Sequence, residues 1–145
     1  MKQAVEQTNA DLVELRIPSR AEWVALARLA VAAVANRLRF SIEDIEDVKL
    51  AVAEACTAVI QHDRHGEFSE LTCETTADAL RVRVRDAGRQ SFRKEIGRSM
   101  DLDEARIAGL GVFLIRTLMD EVTYDVDPEH GTDLTMLKRL QGRTA

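Results

Sequence analysis

Glu54 lies on a stretch whose apolar residues Ile42, Ile45, Val48, Val52, Ala55 and Val59 recur at helical spacing. It shares one helix face with Ala58 and, a turn further on, His62. A carboxylate held beside a bound nucleotide can serve as general base toward a substrate hydroxyl. From spacing alone, a solvated acid on a helix is the commoner arrangement. Asp86-Ala87-Gly88 closes a stretch of alternating apolar and charged residues. A carboxylate at a strand end can accept a hydrogen bond from an exocyclic amine such as adenine's, and a glycine beside it lets a base approach the backbone. The same tripeptide pattern also marks ordinary turns. Gly109-Leu110-Gly111 precedes the helical spacing of Val112, Leu114, Ile115 and Leu118. Unblocked N–H groups at a helix start can cradle phosphate, and a plain helix start after a loop explains this motif about as well. His62 and His65 have no third ligand at metal spacing and are read as helix-end residues.

These groups need a frame to hold them. Leu12 to Pro18 alternates, with Val13, Leu15 and Ile17 on one side, and predicts a strand that Pro18 ends. Ser19 and Glu22 stand at capping-box spacing before a helix whose apolar positions are Trp23, Leu26, Ala27, Ala30, Val31, Val34 and Leu38. Ser41 opens a second helix, with Asp44 at the box position, running to about Asp63 before Gly66. Glu67 to Thr76 and Leu80 to Asp86 read as two strands around a turn at Ala77-Asp78. In the second, Leu80, Val82 and Val84 face the core, and Arg81, Arg83 and Arg85 form the wet face. Ala87 to Ala108 loses any pattern apart from a possible helical turn near Asp101 to Ala105, and long connections of this kind are usually functional or disordered. A short helix from Gly109 follows, then a hairpin of Val122 to Val126 and Thr132 to Leu140 over Asp127 to Gly131.

This order predicts an α/β (α+β) two-layer sandwich, with helices on one face of a mixed, mainly antiparallel sheet. A single domain over about 11–140 is expected, with a flexible N-terminus at 1–10 and a tail at 141–145.

The 145 residues suffice for one core without a staple. With aromatics at 4%, that core must rest on Val, Leu, Ile and Ala. A net charge of -5 argues against direct nucleic-acid binding. Cys56 and Cys73 sit in apolar patterns without metal spacing, which predicts buried free thiols and fits a reducing cytoplasm. No apolar run is long enough for a membrane span, so a soluble cytosolic protein is expected.

Four pieces stand in a telling order: Asp44 to Thr57 (DIEDVKLAVAEACT), Asp86 to Gly88, Gly109 to Val122 (GLGVFLIRTLMDEV) and Gly131-Thr132. Together they resemble the anti-sigma-factor serine kinases, small bacterial members of the group that holds histidine kinases, gyrase and the Hsp90 chaperone ATPase domain. The likeness covers about residues 11–140, and its two longer stretches are its specific part.

The resemblance implies the group's two-layer fold with ATP and Mg2+ as cofactors. Glu54 would activate the serine of an anti-anti-sigma protein. Asp86 would take the adenine amine, with Gly88 beside it and Thr132 supporting the base. A lid would lie at about 87–108, and Gly109 and Gly111 would meet the phosphates. Arg28, on the first helix, would lie near a surface offered to a sigma factor and to the mate in a homodimer. One position departs from the family pattern. Four residues after the glutamate the family places an asparagine that ligates magnesium, and here that residue is Ala58. A methyl cannot ligate a metal that wants near-octahedral oxygen coordination. Two readings therefore stand side by side: an ATP-dependent serine kinase that also sequesters a sigma factor, and a binding module of the same fold with weak or no phosphorylation. A structural subunit pairing with an intact homologue is a third, without direct support in the residues.

Overall fold

A computed structural model describes residues 10–62, 67–87, 111–127 and 131–140. Five strands, β1 (Asp11–Pro18), β2 (Phe68–Thr75), β3 (Ala79–Ala87), β4 (Glu121–Asp127) and β5 (Gly131–Arg139), form one sheet in the order β1-β2-β3-β5-β4. All four pairings are antiparallel, where the sequence left room for a mixed sheet. The helices α1 (Val24–Ala35) and α2 (Ile42–His62) and a helix over 111–118, α3, supply the second layer. Helix α2 packs on β3 and β5, and α1 packs on α2 and β2.

The alternation of β3 sets the two faces. Leu80, Val82 and Val84 are fully buried under the helices, beside Val48, Val52 and Val59 of α2 and Leu134 and Met136 of β5. Arg81, Arg83 and Arg85 point to the opposite face, as expected. There Arg83 grips Asp133 through two hydrogen bonds of 2.9 and 2.5 Å, and Arg16 and Arg85 converge on Glu70. Partial desolvation pushes the Glu70 carboxyl up, but the hydrogen bonds from Arg16 and Arg85 outweigh it and leave Glu70 below its usual range. A shallow hollow of about 450 Å³ on this face is lined by Thr72, Thr123, Thr135 and the Arg83–Asp133 pair, with Glu74, Arg81 and Asp125.

Helix α2 starts as the sequence indicates, with Ser41 Oγ accepting the Asp44 N–H at 3.0 Å. Three expectations fail nearby. Ser19 does not cap α1: its hydroxyl lies 2.7 Å from Ser69 Oγ, and a 3₁₀ turn over Ala21–Trp23 leads into the helix. Trp23 and Leu26 lie outside the core stripe, whereas the expected Ala27, Val31 and Val34 are buried on α1 together with Ala35. Ile42, at the first turn of α2, is 79% exposed, because the stripe begins only where the helix meets the sheet. On β1 the helix layer reaches Ile17 but leaves Val13 exposed. The β4–β5 hairpin follows the expected plan, and Gly131 adopts φ 93, a left-handed conformation that favours glycine. The segment expected as a lid, about 87–108, lies outside the described residues beyond Ala87, which ends β3, as do Gly88, Gly109, His65, both chain ends and the His62 side chain.

Cys56 and Cys73 are free and buried. Burial pushes the Cys56 thiol up to about 12, with the nearby Cys73 adding to the rise, and burial alone pushes Cys73 up to about 11. Between the ordinary value of 9.0 and these values, the folded chain holds protons that the unfolded chain has lost. Stability therefore falls as pH rises through that window. Thermal melts should lose stability from about pH 9 upward, by about 2 kcal/mol per thiol near pH 10.5. The Cys56→Ala/Cys73→Ala variant should lose most of this dependence. An unchanged alkaline slope in that variant would assign it to other groups such as Tyr124, which burial also pushes up to about 12.

Candidate functional site

Three polar side chains stand in a row on the helix-facing side of the sheet, at positions whose strands are otherwise mainly apolar on that side. Asp86 continues the buried parity of Leu80, Val82 and Val84 along β3 and is itself only 6% exposed. Its register partner on β2 is Ser69, which is fully buried. On β5, Thr132 shares the parity of Leu134 and Met136 and is 1% exposed. Arg85 pairs with Asp133, so Asp86 and Thr132 are the next residues along the two neighbouring strands. Same-face neighbours on paired strands bring their side chains within about 5 Å of one another. The carboxylate and hydroxyls thus form one polar edge, which Ser19 extends through its contact with Ser69. Burying polar groups costs free energy, so a row of them at a core position marks a place adapted to hydrogen bonding.

A second grouping lies between α2 and α3. Glu54 is half-buried on α2, and its carboxylate faces Gly111, the first described residue of α3. A Cβ on Gly111 would stand 3.5 Å from Glu54 Oε1, an ordinary van der Waals contact, so the carboxylate lies close against the bare α3 backbone. One turn beyond Glu54, the Ala58 methyl is buried at 3% exposure and packs in the core. Val112 and Ile115 bury the inner side of α3, which fixes how it lies against the domain. Arg28 is on the exposed side of α1, with Leu29, 67% exposed, next to it and Trp23 and Leu26 also open to solvent.

The structure therefore brings Asp86 and Thr132 together and places Glu54 against Gly111, while Arg28 stands apart on an outer helix. Sequence reasoning passed over Ser69 and read Ser19 as a helix cap. The signal was available for Ser69: in β2 it shares parity with Leu71 and Cys73, where a serine is out of pattern. Among the described residues no helix is long and apolar enough to cross a membrane.

These groups sit on the helix-covered face of an α+β two-layer fold with a five-stranded antiparallel sheet. Residues 17–138 match the histidine kinase-like ATPase domain family, and the chain belongs to that family. It is 37% identical to the serine-protein kinase RsbW of Bacillus subtilis, over 94% of this chain and 90% of the relative. It is 38% identical to the protein of the same name from Halalkalibacterium halodurans, over 90% and 85% of the two chains. For that of Listeria monocytogenes the identity is 40%, over 92% and 90%.

Proposed function

We propose that this chain is an ATP-dependent serine kinase of the partner-switching kind, one that phosphorylates an anti-anti-sigma protein and holds a sigma factor in check. The observation that carries this reading is the Glu54 carboxylate facing the bare backbone of Gly111, with the buried Asp86 carboxylate at the sheet edge. In this reading Asp86 accepts the adenine amine, with Gly88 beside it, and the hydroxyls of Thr132 and Ser69 complete the edge that holds the base. The backbone at Gly109 and Gly111 borders the phosphates beneath a lid at about 87–108. Glu54 takes the proton from the incoming serine hydroxyl. The exposed Arg28, with Trp23, Leu26 and Leu29 around it, offers a mixed basic and apolar surface to the sigma factor or to a second copy. The serine-kinase part of this reading is supported by the relatives, each named a serine-protein kinase, and the partners follow from the resemblance of the motifs to the anti-sigma-factor serine kinases.

Magnesium bound with the nucleotide would neutralise phosphate charge. Among the described residues no three His, Cys, Asp or Glu side chains gather as a metal site. Phosphate oxygens and water would then supply most of its coordination. Ala58, a turn from Glu54, favours the second reading, a binding module with weak phosphorylation. The Ala58→Asn variant separates the two. Because position 58 is buried, the amide should lower stability by about 1–3 kcal/mol in the nucleotide-free protein. Calorimetric titration should nonetheless show tighter ATP binding with magnesium present and no gain in excess chelator. An equal change with and without magnesium would remove position 58 from metal binding.

A further inference from the structure

Lys138 is only 7% exposed, on the helix-facing side of β5, six residues along the strand from Thr132. A lysine this buried needs partners, and it has them on two helices. Its Nζ donates to the Leu118 carbonyl at 2.7 Å and lies 3.8 Å from both Asp44 Oδ1 and Asp47 Oδ2. Leu118 is in the last turn of α3, where a cation and a donor suit the unsatisfied carbonyls. Asp44 and Asp47 are in the first turns of α2. One ammonium thus ties together the three elements that carry Thr132, Glu54 and Gly111. The backbone reinforces the same corner, with the Asp120 N–H donating to the Leu137 carbonyl at 2.8 Å and the Arg139 N–H donating to Asp120 Oδ2 at 2.6 Å.

We infer that Lys138 is a positioning residue: it pins the C-terminal end of α3 to α2 and β5, and so sets where the Gly111 backbone stands relative to the Glu54 carboxylate. Replacing buried ion pairs with apolar groups of similar volume is often neutral for stability. The charge is therefore better explained by the register it imposes than by stability it adds. A short helix held by its apolar side can still slide or tilt, and a charge-assisted hydrogen bond to its last turn removes that freedom. Small displacements at a site of this kind are costly to binding and rate.

This rests on the nucleotide reading above, so the test carries a readout that needs no nucleotide. Amide hydrogen exchange across the chain and calorimetric ATP affinity are measured for the wild type, Lys138→Met and Lys138→Arg. Lys138→Met should speed exchange selectively within 111–118, leave β2 protection unchanged and weaken ATP binding about tenfold. Lys138→Arg, which keeps the charge and donors, should recover most of both. Wild-type exchange in 111–118 for Lys138→Met would overturn the inference, as would exchange raised equally throughout the chain, which is the mark of a general stability residue. If Lys138→Met does not fold, Lys138→Gln, which keeps a donor, is judged by the same comparison. Failure of the wild type to bind ATP would overturn the nucleotide reading, and selective exchange in 111–118 would still decide whether Lys138 pins α3.

Discussion

Asp86→Ala is expected to lower ATP affinity by roughly 10- to 100-fold while the thermal midpoint moves little. The size follows from losing a hydrogen bond to a buried charge, on the order of 1.5–3 kcal/mol. The carboxylate sits within the sheet at a position whose neighbours along β3, Val82 and Val84, are fully buried, so no water competes freely for the bond. Asp86→Asn should fall between, because an amide oxygen still accepts but carries no charge. The loss should be shared by ADP and adenosine, since it concerns the base and not the phosphates. A loss confined to ATP would place Asp86 near the phosphates and would contradict the assignment. Circular dichroism and a thermal melt on the same samples separate lost affinity from lost fold.

The second large effect is expected at Glu54. Glu54→Gln keeps the shape of the side chain that faces Gly111 but cannot take a proton. Phosphate transfer to the serine of the protein substrate should slow by roughly 10²–10⁴-fold, the usual range for a lost general base. ATP affinity should change little, because the carboxylate acts on the hydroxyl and not on the base. The split between rate and affinity is the informative part. Equal transfer by Glu54→Gln and the wild type would remove Glu54 from the chemistry. Loss of ATP binding with no separate loss of rate would make it a binding residue. If the wild type transfers no phosphate at all, the binding-module reading suggested by Ala58 stands instead.

Much of this architecture could be read before any coordinates, for reasons that lie in particular residues. The β3 alternation of Leu80, Val82 and Val84 with three arginines is unambiguous because the strand has one dry face and one wet face. Ser41 marked the start of α2 because its hydroxyl meets the Asp44 N–H within the same turn, a local contact that sequence spacing can show. Helical spacing did less well where the periodic stripe is wider than the surface available to cover it. Trp23, Leu26 and Ile42 fit the period but extend past the sheet, and no local rule says where a neighbour ends. Ser19 failed as a cap because its hydroxyl found Ser69, fifty residues away in sequence.

The candidate site divides along the same line. Asp86 and Gly111 stood out because each sits at an element end with glycine in its motif, Glu54 because of the helix face it occupies, and Thr132 only through the resemblance. What joins them is non-local: the β3–β5 register that sets Asp86 beside Thr132, and the approach of α3 to α2. Lys138 illustrates the limit. In the sequence it is one more charged residue near the end of a strand, and only the packing of α2 and α3 over it turns it into a buried tie.

The central claim is that the Asp86 carboxylate recognises the 6-amino group of adenine, and discrimination between ATP and inosine triphosphate tests it most directly. Inosine carries an oxygen where adenine carries its amine, which sets an acceptor against the carboxylate. Calorimetric titration of the wild-type protein should show ATP binding at least about tenfold tighter, because an unpaired buried acceptor costs more than a kilocalorie per mole. The Asp86→Asn variant, whose amide can also donate, should lose most of that preference. Equal wild-type affinity for the two nucleotides would contradict the account.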